Sequence, residues 1–369
     1  MKALCQIITF CILLVFCAIV NNAQCAKVAS SLESKLSSIG ISKKEHDDFQ
    51  LFKSSFNRKY LNDKEEMAKL KAFAKNLKKI HKHNKKFKNG ESTYEMGVNK
   101  FTDMNDDEFL ATHAGFIPDS NSNYDTIETI RLNDPFQIAI PDKFNLEGYN
   151  PEVRDQGNCS ASWAFAVIGA IEAQIYKETG ETLRLSVQHL IDCTKDNFGC
   201  NGGTIEAALK FIKENGVAHE VDYPYTGLNN ECKSGLTNNG PLFTIDDFKK
   251  LQIDNSNDPN LEYRKRSIAI FGVDPLDLRF YKNGTYCPED NVESSPPMEL
   301  THAVYLVDND ENSDRSYWLN KNSWGETWGS KGNFFTNPIK CDIKYHYYYI
   351  SPINETDLFG NKITPKLVL

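Results

Sequence analysis

No cysteine occurs between Cys25 and Cys159, and none of the ten cysteines forms a Cys-x-x-Cys pair. The gap denies residues 26–158 any disulfide of their own. The missing spacing argues against a zinc ribbon, as does the absence of histidines grouped beside the cysteines. Long apolar runs are scarce too. The uncharged run Ile7–Val20 has 14 residues, short of the roughly 17–25 that a membrane helix needs. No later stretch is long and apolar enough to span. Basic residues are in the minority, 42 against 50 acidic, for a net charge of −8.

What is present is ordinary in bulk. Apolar residues make up 40% and charged residues 25%, close to the average for soluble globular proteins. That composition excludes a mostly disordered chain, a collagen-like fibre and a multi-span membrane protein. A length of 369 residues suits two domains, or one domain with a processed segment.

Lys2, the apolar run and the small residues around Asn21-Asn22-Ala23-Gln24-Cys25-Ala26 read as a secretion signal over 1–25. The predicted location is therefore the secretory pathway, extracellular or lysosomal. Four cysteines (Cys5, Cys11, Cys17, Cys25) lie in or beside that signal. The other six are Cys159, Cys193, Cys200, Cys232, Cys287 and Cys341. An even set in a secreted chain reads as three disulfides, and six cysteines allow 15 pairings between which spacing does not choose.

Charge is unevenly placed. Residues 43–88 carry +9 (15 basic, 6 acidic), 89–140 carry −8 (2 basic, 10 acidic) and 141–369 carry −11 (22 basic, 33 acidic). Secretion argues against a nucleic-acid partner, so the basic block is expected to dock on the acidic remainder. Phe49, Phe52, Phe56, Tyr60, Leu70, Phe73, Leu77 and Ile80 recur at three- and four-residue steps. The spacing predicts helix over 43–90, ended by Asn89-Gly90. A short alternating stretch follows at Tyr94–Asp103, then an acidic helix start at Asp106–Phe109. Residues 116–140 read as a linker.

Within this segment Glu65, Lys69, Phe73, Asn76, Ile80 and Asn84, then Gly97, Asn99, Phe101 and Asp103, resemble the two motifs of cathepsin L-like propeptides. The resemblance implies that 26–140 is a helical inhibitory pro-segment covering a substrate cleft. From 141 to 369 the chain resembles the papain-family peptidase domain, with a tail beyond the usual end. The matches are Gln156-Gly157-Asn158-Cys159-Ser160-Ala161-Ser162-Trp163, Gly199-Cys200-Asn201-Gly202-Gly203 and Tyr223-Pro224-Tyr225. They continue with Tyr281-Lys282-Asn283-Gly284-Thr285-Tyr286-Cys287, Thr301-His302-Ala303-Val304 and Lys321-Asn322-Ser323-Trp324-Gly325.

The resemblance implies an α+β papain-like fold in two lobes, one helical and one β-barrel-like, preceded by the helical propeptide. Ser162 stands at the family's nucleophilic cysteine. Trp163, Val167, Ile171 and Ile175 repeat at four-residue steps and Gly180 is a stop signal, so Ser162 is predicted at a helix N-terminus. There the helix dipole and an imidazolium lower a thiol pKa, whereas a hydroxyl stays un-ionised and needs a base. His302 would be that base and Asn322 its orienting amide. In a serine-protease triad an Asp→Asn change costs about 10⁴ in turnover. The expected function is a secreted peptidase homologue, impaired or inactive, with a peptide-binding cleft. The alternatives are a weak endopeptidase using Ser162, His302 and Asn322, or a silicatein-like role. Silicateins share that Ser–His–Asn set, but no hydroxyl-rich cluster is present here beyond Ser294-Ser295.

By resemblance Gln156 would supply the oxyanion donor. Gly202, Gly203, Trp163, Trp324, Ala303 and His346 would form the substrate site. The disulfides would pair Cys159–Cys200, Cys193–Cys232 and Cys287–Cys341. Expected partners are peptides or proteins in the cleft, the chain's own propeptide and cystatin-like inhibitors, with no cofactor, metal, nucleic acid or membrane. Ser160 and Asp342 replace glycines usual in the family. Arg264-Lys265-Arg266 reads as a solvated loop and Tyr345–Tyr349 as an aromatic strand. Sequons at Asn283 and Asn354 are placed in a turn and the tail, and are candidate glycosylation sites. Asn158, beside a disulfide, is expected to be unmodified.

Overall fold

The computed structural model describes residues 31, 33–118, 129–132, 151–233, 242–253, 267–287, 301–310, 317–337, 345–350, 353–356 and 362–363. For 129–132, and from 345 onward, it describes the backbone alone. The signal at 1–25, Arg264-Lys265-Arg266, Ser294-Ser295, Cys341, Asp342 and the His346 side chain lie outside the described residues.

The chain divides into two compact units, residues up to 79 with 102–104, and residues 80–101 with 105–369. In the first, α1 (Lys43–Ser55) opens with a capping box, Ser42 and Glu45 satisfying each other's backbone amides. The predicted single helix is in fact two. Asn57 takes a left-handed φ of 50° and the Arg58 amide turns back to the Lys53 carbonyl at 2.8 Å. Asn62 then caps α2 (Asp63–Lys88) by accepting the Glu65 amide at 3.0 Å. The aromatic spacing runs on through this break because Tyr60 stacks on Phe49 from the loop, rings 5.9 Å apart. Phe49, Phe52, Leu70, Phe73 and Leu77 form the unit's core. Buried Asn76 ties that core to the returning chain, donating to the Thr102 and Met104 carbonyls at 2.9 and 2.8 Å.

In the second unit α4 (Ser162–Thr179) is the central helix. It is buried from Ser162 to Ile175, mostly apolar, with buried Glu172 satisfied by Arg154 and the Leu185 amide. Gly180 ends it in the left-handed region (φ 74°). Helices α5 (Val187–Cys193) and α6 (Ile205–Asn215) are N-capped by the Ser186 and Thr204 hydroxyls. The Cys159–Cys200 and Cys193–Cys232 disulfides bind loops of this helical layer. Cys287 is also disulfide-bonded.

The other layer is a nine-stranded sheet in the order β1-β7-β10-β9-β8-β6-β11-β5-β2. Its strands are β1 (Tyr94–Met96), β2 (Thr129–Leu132), β5 (Phe248–Ile253), β6 (Ser267–Val273), β7 (Tyr281–Tyr286), β8 (His302–Asp310), β9 (Tyr317–Lys321), β10 (Asn333–Thr336) and β11 (Tyr345–Ile350). A second sheet, β13-β12-β4-β3, joins β3 (Val217–Ala218), β4 (Leu242–Ile245), β12 (Ile353–Thr356) and β13 (Lys362–Ile363). Side chains of α4, α5 and α6 meet those of β6 and β8 in one core, among them Trp163, Val167, Ile171, Leu190, Leu209 and Ile270.

Two expectations need correction. The segment read as a linker contributes β2, whose Thr-Ile-Arg-Leu alternation pairs in parallel with β5. Asn283 is not in a turn. It is exposed on β7 opposite Glu95, to which its side-chain amide donates at 2.9 Å. Asn354, in the tail as expected from its position, lies on β12 opposite Thr244 and needs no correction.

Replacing Asn76 with Ala leaves the Thr102 and Met104 carbonyls without their donor. The expected loss is about 2 kcal/mol, read as a lower urea midpoint with unchanged m-value.

Candidate active site

Ser162 is the first residue of α4, and the helix has no side-chain cap before it. Its Oγ is fully buried and accepts the Ala303 amide at 3.1 Å. His302 opens β8 beside it, and Asn322 follows the last residue of β9. The His302 Nε2 and Asn322 Oδ1 are 2.7 Å apart. The same Oδ1 takes the Ser323 amide at 2.7 Å. A backbone N–H can only donate, so the shared atom is the amide oxygen and His302 Nε2 carries the proton. In the neutral ring Nδ1 is then the unprotonated nitrogen, and the His113 backbone lies beside the ring. Burial pulls the imidazole down to about 4, against the opposite influence of Asn322 and the His113 backbone. Trp324, wholly buried, lies over the ring at 4.4 Å.

Gln156 is also wholly buried. Its Nε2 donates to the Cys159 carbonyl at 2.8 Å and to the Thr112 carbonyl at 3.4 Å. Its Oε1 accepts the Ser323 hydroxyl at 2.6 Å. Ser323 thereby links the sheet side of the site to the loop before α4, a role the sequence motif did not reveal. Trp163 does not line the site. It is in the core, its indole N–H on the Gly199 carbonyl at 3.1 Å. Among the described residues no group of three His, Cys, Asp or Glu side chains is placed to hold a metal ion.

The site is filled by the chain's own N-terminal segment. Helix α3 (Asp106–His113), capped by Asn105, ends over Ser160. The Ser160 hydroxyl donates to the carbonyls of Ala111 at 3.0 Å and Leu110 at 3.4 Å. Ser160 stands where the family resemblance implies a glycine. It satisfies carbonyls that a helix end leaves open. Beyond α3 the chain runs extended. The Gly203 amide donates to Gly115 O at 2.8 Å, the Ile117 amide to Gly203 O at 2.9 Å and the Phe116 amide to Thr301 O at 2.8 Å. A Cβ on Gly202 would lie 3.1 Å from Gly115 O, and one on Gly115 only 1.9 Å from Ser160 O. The need for glycine at 203 has a different origin, the Asn197 side chain 2.5 Å away.

Residues 140–351 match the family model for papain family cysteine proteases, and 49–109 match the cathepsin propeptide inhibitor domain. The chain belongs to the papain family of cysteine proteases. Cathepsin K of Mus musculus is 32% identical over 300 residues, 77% of this chain and 85% of the relative. Cathepsin L1 of Drosophila melanogaster is 31% identical over 312 residues, 78% and 79%. Procathepsin L 3 of the Tenebrio molitor larval midgut superposes with a TM-score of 0.65 at 28% identity, covering 84% of this chain and 99% of that one. The fold is papain-like with an inhibitory pro-segment, as the sequence motifs imply.

The pro-segment motifs have concrete work. Asn84 exchanges two hydrogen bonds with Met96, fixing the end of β1. Asn99 donates to Arg279 O at 2.8 Å. Phe101 and Phe109 meet the Trp324 indole edge-on at 5.5 and 5.3 Å. The ion pairs in this region come from residues 95–106, outside the basic block of 43–88. Two of the ion pairs here, Asp106–Arg279 at 2.8 Å and Glu95–Lys282 at 3.1 Å, place the acid on the pro-segment, while Lys100–Asp155 places the base there.

Two outcomes follow from this packing. Gly115→Ala puts a Cβ into the Ser160 carbonyl at φ 112°, where backbone strain alone costs ~1–3 kcal/mol. Amide exchange at Phe116 and Ile117 is expected to rise more than about tenfold. His113, buried in the ring cluster, is held at about 3 by burial first and then by positive Lys100. A histidine depressed on docking stabilises the docked state fully above its ordinary pKa of about 6.5, and that stability falls as pH drops from there toward 3. The slope approaches 1.4 kcal/mol per pH unit. Opening of 106–117, followed by exchange from pH 7 to 5, should rise steeply in the natural chain and stay nearly flat in His113→Phe. Equal slopes would discard the histidine's part.

Proposed function

We propose that this chain is a papain-fold homologue whose cleft takes peptide or protein ligands but hydrolyses them poorly or not at all. The observation behind this reading is the serine at the amino end of α4, where the family sets its cysteine. A helix N-terminus favours a thiolate, which is already a nucleophile, but cannot ionise a hydroxyl. Ser162 Oγ also accepts the Ala303 amide at 3.1 Å, which draws on a lone pair that attack would use. The base is mismatched as well. His302 has the tautomer to receive a proton, but its partner is an amide with no charge to stabilise the imidazolium.

Gln156, Gly202, Ala303 and Trp324 complete the cleft in this reading, with His346 as a further lining residue. Cystatin-like inhibitors and peptides are its external partners. Lys2 and the Ile7–Val20 run support a secretory route, ending outside the cell or in a lysosome.

Peptide hydrolysis is compared for the natural protein, Ser162→Ala and Ser162→Cys, each after removal of the pro-segment. The natural protein and the Ala variant are expected to match. The Cys variant should exceed both by roughly 10³-fold, since binding and oxyanion contacts alone leave only residual catalysis. Turnover by the natural protein that vanishes in Ser162→Ala sinks the proposal.

A further inference from the structure

Arg279 caps the short helix α7 (Pro275–Leu278), and the family motifs give it no role. It is only 1% exposed, which is unusual for an arginine. Its backbone is fixed, since the Arg279 carbonyl accepts the Trp328 indole N–H at 2.9 Å as well as the Asn99 amide. Its guanidinium stacks on the Phe280 ring at 4.4 Å, a contact within the peptidase domain. On its other side lie two residues of the pro-segment. Asp106 Oδ1 takes the Nη2 hydrogen bond at 2.8 Å, and the Phe109 ring lies 4.9 Å away. Phe109 reaches Trp324 as well, and Trp324 covers His302.

One helical face therefore offers a carboxylate and, three residues on, an aromatic ring. The domain answers with a stacked guanidinium and an indole. This is a charge-assisted hydrogen bond between a buried guanidinium and a carboxylate whose side chain is 39% exposed. The Phe280 contact lies within the domain and does not involve the pro-segment, and Asp274 is the domain's own carboxylate acting on the guanidinium. The surrounding domain carries a net charge of −11 over 141–369. An acidic ligand is therefore repelled generally and accepted only where a cation such as Arg279 faces it.

We infer that Arg279 is a specificity-determining residue of the cleft, selecting peptide or protein ligands that bring a carboxylate beside an aromatic group on the Trp324 side of His302. The inference rests on the ligand-binding reading above, and the pro-segment's Asp106 and Phe109 are its internal version of that ligand.

The test uses the full chain with its own segment loosened by Asp106→Asn and Phe109→Ala. Fluorescence anisotropy follows labelled peptides of residues 105–118, natural and Asp106→Asn, which differ by one charge while Asp107 and Glu108 stay. The natural peptide is expected to bind at least about tenfold more tightly. That preference should disappear when the host also carries Arg279→Ala. Arg279→Gln is run beside it, because it keeps a stem over Phe280 while removing the charge. Equal affinity of the two peptides for the Arg279 host overturns the inference and leaves the cleft reading standing. So does a tenfold preference that persists in Arg279→Gln. If neither peptide binds any host, the cleft accepts no ligand, and both readings fall.

Discussion

The Asn322 side-chain oxygen accepts two N–H bonds in a space that water does not reach, and the geometry of the site follows from it. One donor is the next residue's own amide, so the oxygen's position is set by the backbone at the end of β9. The other is His302, so the ring's tautomer and plane are set by the oxygen. Trp324 excludes the water that would compete. Ser323 carries the same constraint across to Gln156, and Gln156 holds the Cys159 carbonyl just before α4. A short stretch of chain thus positions the ring, the amide donor and the start of the central helix.

That constraint positions groups without supplying charge. A buried neutral amide beside a buried neutral imidazole carries little desolvation cost, whereas a buried carboxylate would need compensation. With a thiolate on the far side the arrangement is self-consistent, because the ion pair forms between nucleophile and ring. With a serine hydroxyl nothing in the site is charged before attack. The Ala303 amide, donating to Ser162 Oγ, fits a site at rest.

The pro-segment exploits the same rigidity. Its approach is limited by backbone, with Gly115 against the Ser160 carbonyl and Gly202 against the Gly115 carbonyl. It is held by backbone amides on both sides and by the Ser160 hydroxyl at the end of α3. Aromatic rings from α3 and its preceding loop pack on Trp324, so the surface that shields the ring is also the surface the segment grips. Acidic side chains at Asp106 and Glu95 face basic partners on the domain, within a domain stretch whose net charge is acidic. Block charge sums long stretches, while an ion pair depends on the few side chains within about 4 Å.

The sequence by itself determined a good deal. Repeats of apolar residues at three and four steps marked α2 and α4, because burying one face of a helix requires that spacing. Ordered motifs around Ser162, His302 and Asn322 marked residues that the fold brings together. Tertiary structure decided the rest. The break at Asn57 was invisible because Tyr60 kept the aromatic rhythm while leaving the helix. Arg279 gave no local signal, since its burial depends on Asp106 and Phe109, some 170 residues earlier in the chain. Trp163 and Trp324 read alike as large aromatics. Only packing sent one into the core and placed the other over the ring. Local pattern encodes what a residue's neighbours along the chain require. Contacts between distant segments exist only once the fold brings them together.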